Sequence, residues 1–530
     1  MCACSTIAVV LSLMAWSSAA ARAPGDAAPV GEASFGWRVT ALPPAAGAGS
    51  FGEPGIVSGP GGALMVSASS ANDNVPPTWW LSGDAGGTWG PARDLDRTGS
   101  WTGDADSLVA GDGYHYALNL AYNNPPSQPV NPTALVFRSP DGVAWSGPAT
   151  IPPPQGVDQP DRPWLAADPR HPQRLLLVNS EGAGDFVAWT STDHGASFAG
   201  PVTITAGGHP SAALALSSRP MFDPTGDGRV FMLYETGSLT NDAGLAGVAA
   251  GAPDFPLTQL WLAESDDGGL HWNDTEVLDA TAAFGQAAAG GSLAHTLVAA
   301  AIDRAGTLYA SFSLRLTSSP QTHIFLVRSA DHGHSWSSPT RVDAGGLGSN
   351  VMPWLAAGDA GKVDLTWYGS TTPDFTDPVS TWAEMFAQSV DAGSAHPTFT
   401  QSRVSGNRPV HTGDINAAGN LGSRFHNWSL RDFQSVAVDG CGRAHPAWSD
   451  DLAGDRTFVA AQTMGGSLGG DDCPSAAESP PVTPRSAAVS ASLPNTARGA
   501  PWLDAITVAG VLLVLRSAGP RRRMRAGDRR

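Results

Sequence analysis

Short apolar runs alternate with turn residues along most of the chain, and this pattern predicts many strands rather than helices. One unit recurs: a small-apolar strand, a turn and a second strand, as in RPWLAADPRHPQRLLLVNS (162–180) and HTLVAAAIDRAGTLYASFS (295–313). We find seven such units between residues 35 and 470. The 62 Gly, the 43 Pro and the low charged fraction of 15% agree with strands joined by tight turns.

A second motif, Ser-x-Asp-x-Gly-x-x-aromatic, follows most of these units. SADHGHSW (329–336) is one of four full copies, SPDGVAW (139–145) is one residue shorter, and SVDAG (389–393) keeps only the first half. The six motif aspartates, 52 to 74 residues apart, are Asp84, Asp141, Asp193, Asp267, Asp331 and Asp391. The regular recurrence indicates a repeat architecture.

The chemistry of the motif is that of a hairpin turn. An Asp carboxylate accepts hydrogen bonds from backbone N–H groups just downstream, and Gly adopts a positive φ that other residues resist. The aromatic ring then covers the hairpin and buries apolar area. We therefore expect these aspartates to be structural rather than catalytic.

Together, a two-strand unit and the hairpin after it make a four-stranded sheet. The last unit, FQSVAVDGCGRAHPAWSDD (433–451), is followed by only one more strand, and FGWRVTALP (35–43) can supply the missing one. Closure by an N-terminal strand removes an exposed sheet edge. We predict an all-β fold, a β-propeller over residues 35–470 with seven four-stranded blades, six being the alternative.

The two ends read as export and anchoring signals. Residues 1–23 contain an apolar stretch followed by small residues, which predicts a secretory signal peptide. Residues 474–492 form a Pro/Ala/Ser linker. In 493–530, LPNTA precedes a short apolar stretch and an Arg-rich tail, which resembles a cell-wall sorting signal; a plain membrane anchor is the alternative. Both alternatives place the protein on the outer surface of a bacterial cell.

Cysteine usage agrees with export, and the net charge bears on the kind of partner. The predicted mature chain keeps Cys441 and Cys473, an even pair that we expect to form a disulfide outside the cell. The formal net charge of −18 argues against a nucleic-acid partner.

The repeats resemble Asp-box (BNR) repeats, and the chain resembles the sialidase-like superfamily, in particular secreted bacterial proteins of the exo-alpha-sialidase type. HTGDIN (411–416) and RDFQSVAVDGCGRAHPAWSDD (431–451) extend the resemblance. The resemblance implies three Arg that hold a substrate carboxylate, a Tyr nucleophile activated by a Glu, and an Asp acid/base. The first Arg belongs to a Phe/Tyr-Arg-Ile-Pro motif, but here FGEPGI (51–56) places Glu53 near that position, and a carboxylate there would repel an acidic sugar.

Loops on one face of the predicted propeller gather the candidate site residues. The candidate catalytic residues are Tyr234, Glu235, Glu181, Tyr368 and Asp161, and the candidate ligand-binding residues are Arg162, Arg219, Arg315 and Arg431. Because neighbours on a strand point to opposite faces, Glu235 is badly placed to activate Tyr234, and a Glu from another blade, such as Glu181, is the better partner for Tyr234 or Tyr368. The alternative is that Tyr234 packs and that the arginines neutralise acidic neighbours such as Asp161 and Asp432.

Further acidic and basic residues are expected on the same face: Glu53, Asp106, His295, Asp432, Asp450 and Asp451. No cofactor is predicted. Ca²⁺ is the one metal that the oxygen-rich residues would suit. The oxygen-rich segment DPTGDG (223–228) is interpreted first as a hairpin turn, with Ca²⁺ binding as the alternative.

Two functions of different class follow. The first is a surface-anchored propeller that binds glycans or another extracellular polymer without turnover. The second is a glycoside hydrolase that releases a terminal acidic sugar, and a scaffold for other wall proteins is a further option.

Overall fold

The computed structural model describes residues 35–45, 51–70, 75–96, 101–122, 132–152, 160–181, 185–205, 217–226, 228–237, 257–286, 298–343, 345–415 and 430–469. The predicted signal peptide (1–23), linker (474–492) and sorting signal or anchor (493–530) lie outside these residues, as do Cys473 and His295. Within the described ranges, no helix is long and apolar enough to cross a membrane.

Seven antiparallel sheets follow one another along the chain and form a seven-bladed β-propeller. Blade one contains β2 (Phe51–Ser58), β3 (Leu64–Ser70) and β4 (Thr78–Ser82), and the strand that precedes them in the chain, β1 (Gly36–Ala41), belongs to blade seven. Blade two contains β5 (Trp101–Val109), β6 (His115–Tyr122), β7 (Pro132–Ser139) and β8 (Ser146–Ile151). Blade three contains β9 (Pro160–Ala167), β10 (Leu175–Glu181), β11 (Asp185–Ser191) and β12 (Ala199–Thr203). Blade four contains β13 (Met221–Phe222), β14 (Val230–Gly237), β15 (Leu257–Ser265) and β16 (Asn273–Asp279).

The remaining blades continue the order. Blade five contains β17 (Ala299–Ile302), β18 (Leu308–Arg315), β19 (Thr322–Ser329) and β20 (Thr340–Arg341). Blade six contains β21 (Ser349–Ala357), β22 (Val363–Ser370), β23 (Thr381–Ser389), β24 (Thr400–Arg403) and the short β25 (His411–Thr412). Blade seven contains β26 (Ser435–Val438), β27 (Ala444–Asp450), β28 (Arg456–Met464) and, as its outer strand, β1 (Gly36–Ala41). One short helix, α1 (Ala280–Phe284), follows β16.

The predicted all-β class, the seven blades and the closing N-terminal strand are confirmed. β1 pairs antiparallel with β28 from Gly36↔Met464 to Ala41↔Phe458, which completes blade seven. Blade one differs from the prediction because its described residues form three strands. After its hairpin, residues 83–96 make one bridge to β4, Trp79↔Arg93, and the nearby Pro91 has no N–H to donate to a ladder.

Both faces of the blades are buried against their neighbours, which explains why the strands read as apolar runs rather than as strict alternation. In β14 of blade four, Tyr234 packs with Phe186 of blade three. Leu233, on the opposite face, belongs to the core shared with Phe312 of blade five. Alternate residues of one strand therefore join two different blades.

The six Ser-x-Asp segments lie where the third strand of a blade ends, from Ser82 at the end of β4 to Ser389 at the end of β23. In each, the Ser hydroxyl donates to the Asp carboxylate over 2.7 to 3.0 Å. In four of them, the Gly N–H donates to the same hydroxyl over 2.8 to 2.9 Å. The motif aspartates are thus engaged with their own turns.

A second group of aspartates builds the turns between first and second strands, and only the segment of Asp223 was predicted as a turn from the sequence. Its members are Asp168, Asp223, Asp303 and Asp439, all buried. Asp303 Oδ1 accepts the N–H groups of Ala305 and Thr307 over 2.9 Å each. Asp223, in the DPTGDG segment, likewise accepts the Thr225 N–H over 2.8 Å. Among the described residues, no group of three or more His, Cys, Asp and Glu is arranged to hold a metal ion.

Candidate binding site at the mouth of the channel

The innermost strands of the blades surround the propeller axis. Contacts join β26 to β2, β2 to β5, β5 to β9, β9 to β13, β17 to β21 and β21 to β26. We call the face at which these strands begin the upper face. The second strands end on this face, so the loops predicted to carry function gather here.

Four residues at the start of innermost strands have a left-handed backbone. They are Glu53 (φ 55°), Arg162 (φ 51°), Met352 (φ 58°) and Arg431 (φ 57°). Glu53 and Met352 coincide with irregularities in the ladders of β2 and β21. Left-handed residues other than Gly cost about 1–3 kcal/mol each and cluster at functional sites, where the surrounding structure holds them. The recurrence of this strained geometry around one axis identifies the upper mouth of the channel as the candidate site.

Arg162 links blade three to blades one and two. Its Nη2 lies 2.8 Å from Glu53 Oε2 and 3.0 Å from Asp104 Oδ1. Its backbone N–H donates to Asp104 Oδ2 over 2.9 Å. The side chains of Glu53 and Arg162 are 1% and 4% exposed, whereas Asp104 is 14% exposed. Glu53 is therefore the partner of an arginine and does not stand alone in the mouth.

Arg219 makes the second ion pair, with Asp106 of β5. Asp106 also accepts the Leu165 N–H over 2.9 Å, and its side chain is fully buried. Burial raises the pKa of Asp106, and the charge of Arg219 and the Leu165 N–H oppose this shift. The Arg219 side chain is 19% exposed, so it keeps partial access to solvent.

Three aromatic rings form the base of this network. Trp354 and Phe433 are stacked with centroids 5.2 Å apart, and Trp164 contacts both rings. The Arg162 guanidinium lies 4.9 Å from the Phe433 ring, and that of Arg219 lies 5.1 Å from Trp164. Cation–π contact with desolvated rings holds both guanidinium groups in place.

Arg431 lies against blade one. A methyl group on Gly52 would be 2.7 Å from Arg431 Cδ, so the arginine stem occupies the space that a side chain at residue 52 would need. We call Glu53, Asp104, Asp106, Arg162, Arg219 and Arg431 the axial ring.

The described contacts give the arginines partners that were not named for them from the sequence. Arg162 pairs with Glu53 and Asp104, and Arg219 pairs with Asp106. Neutralisation of acidic neighbours such as Asp161 and Asp432 stays a prediction. Asp104 was missed, although Asp104 and Asp106 lie two residues apart on one strand and therefore share a face. The side chains of Asp161 and Glu181 lie outside the described part of the structure, although their backbones belong to β9 and β10.

Arg315 lies at the end of β18 in blade five, and its guanidinium is 5.1 Å from the Phe375 ring of blade six. No ion pair or ring contact between the described residues connects it to the axial ring. Arg162, Arg219 and Arg431 belong to the axial ring, and Arg315, at the same face, lies beside the loop between β22 and β23.

Tyr234 and Glu235 point away from each other, as strand geometry requires. Tyr234 packs on Phe186 with ring centroids 5.5 Å apart, and burial together with Asp274 raises its pKa. Glu235 is fully buried, neither carboxylate oxygen has a hydrogen-bond partner among the described residues, and burial raises its pKa well above the ordinary value. The two residues do not form a nucleophile–base pair.

Tyr368 has an acidic neighbour within its own blade. It lies directly opposite Glu384 in the ladder between β22 and β23, and both side chains are fully buried. The Tyr368 hydroxyl accepts the Ser449 N–H of blade seven over 3.1 Å. Burial, followed by the charge of Glu384, raises the pKa of Tyr368, and burial raises that of Glu384. Glu384 was missed because it belongs to no repeated motif.

No known family model matches the chain, and no curated protein matches it. Similar solved structures include a protein of unknown function from Dyadobacter fermentans (14% identity, 81% of this chain and 98% of that chain, TM-score 0.44). They also include an ulvan lyase with a bound glucuronate–rhamnose sulfate unit (13% identity, 80% and 95% of the chains, TM-score 0.45). A third is a leech intramolecular trans-sialidase complexed with 2,7-anhydro-Neu5Ac (12% identity, 76% and 65%, TM-score 0.38).

Proposed function

We propose that this protein is a cell-surface-anchored β-propeller that binds a glycan or another extracellular polymer at the axial ring without cleaving it. The observation that carries the proposal is the set of left-handed residues Glu53, Arg162, Met352 and Arg431 around the channel mouth. Backbone strain of this kind is retained where a preorganised ligand site repays it.

The chemistry of the axial ring favours a hydroxyl-rich ligand. Each arginine offers N–H donors, and each carboxylate offers acceptors, whereas a sugar hydroxyl both donates and accepts. Arg219 and Asp104 are the reachable members of the two ion pairs, and they present one donor group and one acceptor group to the mouth. Since three carboxylates accompany three arginines, the ring has no excess positive charge with which to select an anion.

Binding without cleavage is supported by the position of the phenols. Tyr234 is packed between blades three and four, and Tyr368 is packed between blades six and seven. A nucleophile must touch the substrate, and neither hydroxyl reaches the mouth in this arrangement.

A glycoside hydrolase of the exo-alpha-sialidase type is the second candidate, and one contact favours it. Tyr368 faces Glu384 directly across two strands, which is the kind of phenol–carboxyl juxtaposition that an activated tyrosine nucleophile needs. The resemblance of the repeats to Asp-box proteins supports the same candidate.

The test combines binding and turnover. The full chain is titrated with neutral, uronate-containing and sialylated polysaccharides, and we expect a neutral polymer to bind with weak salt dependence. Arg219→Ala is expected to weaken binding at least several-fold. Arg304→Ala is the matched control, because Arg304 is 56% exposed and pairs with Asp359 in a turn away from the mouth.

Turnover is measured with a fluorogenic sialoside. Release of the fluorophore that disappears in both Tyr368→Phe and Arg315→Ala would establish the hydrolase and overturn the binding proposal. Absence of binding to every polymer class, in a folded protein, would also overturn it.

Surface anchoring is a separate part of the proposal and rests on the sequence signals at 1–23 and 493–530. It predicts that a chain lacking residues 493–530 is released into the medium. A chain that stays cell-bound after this deletion would contradict anchoring by the C-terminal segment.

A further inference from the structure

Three innermost strands begin with the same kind of β-bulge. In each, two successive residues stand opposite one residue of the second strand, and the pair consists of a left-handed residue and a proline. A bulge bends its strand and re-aims the side chains beside it, and proline has no N–H group that the broken ladder would leave unpaired. The three pairs are Glu53–Pro54 opposite Ala68, Arg162–Pro163 opposite Asn179 and Met352–Pro353 opposite Trp367.

The bulge of blade one is held by a side chain of blade seven. The Ser435 hydroxyl donates to the Pro54 carbonyl over 2.5 Å and accepts the Ile56 N–H over 2.8 Å. Ser435 is fully buried, so water does not replace either hydrogen bond. The two bonds lie on either side of Gly55, and a rotation of the backbone after Glu53 would break both. Left-handed strain persists only where surrounding contacts hold it in this way.

Ser435 corresponds by position to Asp106 of the axial ring. Each lies three residues before the last residue of its innermost strand, β26 or β5. Asp106 accepts the N–H of Leu165, the third residue after Arg162, over 2.9 Å. Ser435 accepts the N–H of Ile56, at the same distance after the left-handed residue of blade one. The same junction between blades therefore lies behind both members of the buried ion pair.

The junction at Ser435 joins the two ends of the propeller. Ile56 and Ser435 are 379 residues apart in sequence, and the ring closes between their blades. The hydrogen bonds of Ser435 to blade one therefore form only when the ring of blades is closed. Glu53 Oε2 lies 2.8 Å from Arg162 Nη2, and Glu53 is 1% exposed. The buried carboxylate has little room to reach the arginine from another backbone position.

We propose that Ser435 is a positioning residue of the axial ring, which sets the bulge of Glu53 so that its carboxylate meets Arg162. The proposal deepens the proposed function, and it rests on that function for its effect on polymer binding. Without the hydroxyl, the Pro54 carbonyl and the Ile56 N–H both lose a hydrogen-bond partner, and the bulge relaxes. The ion pair then weakens, although the substitution removes no atom of either charged residue.

Double-mutant cycles test this role because they separate the coupling of two residues from overall stability. Urea unfolding is measured for the full chain, Arg162→Met, Glu53→Gln and the double variant, and the cycle is repeated in the Ser435→Ala background. We expect the coupling between Glu53 and Arg162 to fall about twofold in Ser435→Ala. Ser58→Ala is the matched control, because the Ser58 hydroxyl donates to the Val438 carbonyl over 2.6 Å. This bond joins the same two blades at the ends of β2 and β26 far from the mouth, so its loss should destabilise the protein and leave the coupling unchanged.

A titration with the neutral polysaccharide separates this role from the proposed function. Lower coupling together with weaker binding in Ser435→Ala, and neither effect in Ser58→Ala, supports the positioning role. Lower coupling in a protein whose wild type binds no polymer supports the role and overturns the proposed function. Unchanged coupling in Ser435→Ala overturns the role whether or not the polymer binds, and so does an equal loss of coupling in Ser58→Ala. Lower coupling with unchanged binding overturns the link between Glu53 and the polymer.

A second variant keeps the test decisive if Ser435→Ala does not fold. Ser435→Cys retains a side chain of similar shape, but its thiol is a weak donor and a weak acceptor. The coupling between Glu53 and Arg162 should fall in this variant as well, and an unchanged value would refute the positioning role.

Discussion

The ion pair between Arg162 and Glu53 permits a stringent test of the axial ring, by the substitution Arg162→Met. Methionine keeps much of the apolar stem against Phe433 but removes the cation that lies 2.8 Å from Glu53 and 3.0 Å from Asp104. Asp104 is partly exposed and regains water, whereas Glu53 is 1% exposed and is left as a buried charge. We therefore expect most of the penalty to arise at Glu53.

Removing one partner of a buried ion pair costs about 3–5 kcal/mol of unfolding free energy. For roughly 400 cooperative residues at ~2.1 cal/mol/K per residue, this corresponds to a fall in melting temperature of about 4–6 °C. The double variant Arg162→Met/Glu53→Gln removes the charge as well, and it should recover at least half of the loss.

Urea unfolding of the wild type and the variants at pH 7 measures these differences. The reasoning is refuted if the double variant is as unstable as Arg162→Met, because the two residues would then not be coupled. A decrease of less than about 1 kcal/mol in the free energy of unfolding of Arg162→Met would equally refute the reasoning, since an exposed ion pair contributes that much.

Three further predictions concern the turns, the mouth and the disulfide. Although burial opposes the shift, hydrogen bonds from Ser197 and Ser191 lower the pKa of Asp193 to about 2. The ionised Asp193 therefore stabilises the folded protein fully above the ordinary pKa of 3.8, and this stabilisation is lost as pH falls through about 2. Thermal melts should show Asp193→Ala to be less stable at pH 7, with a difference that fades towards pH 2; a constant difference would contradict the turn's role. Gly52→Ala should displace Arg431 and weaken polymer binding, whereas Gly83→Ala, which has open space around it, should bind normally in the same titration. Cys441 is disulfide-bonded, and non-reducing peptide mapping should find it linked to Cys473. Urea unfolding should show that Cys441→Ser lowers the free energy of unfolding by about 3–4 kcal/mol. A different partner in the peptide map would refute the pairing.

The architecture was predictable because its determinants are local and repeated. Each Ser-x-Asp turn closes within a few residues, as in the bond from Ser329 to Asp331 and from the Gly333 N–H to Ser329, so its chemistry can be read from eight letters. Counting strands between these turns also showed that one strand was missing from blade seven and that residues near the N-terminus had no other place.

The partners within the axial ring were decided only by the tertiary structure. Sequence proximity suggested only neighbours such as Asp161 and Asp432 for the arginines. The contacts of Arg162 with Glu53 and Asp104 exist because the strands β2, β5 and β9 meet around one axis. Likewise, the register between β22 and β23 places Glu384 opposite Tyr368, and a shift of one residue would turn it to the other face. Local turn chemistry determines where a strand ends, whereas packing between distant strands determines which charges meet, and no short stretch of sequence contains that information.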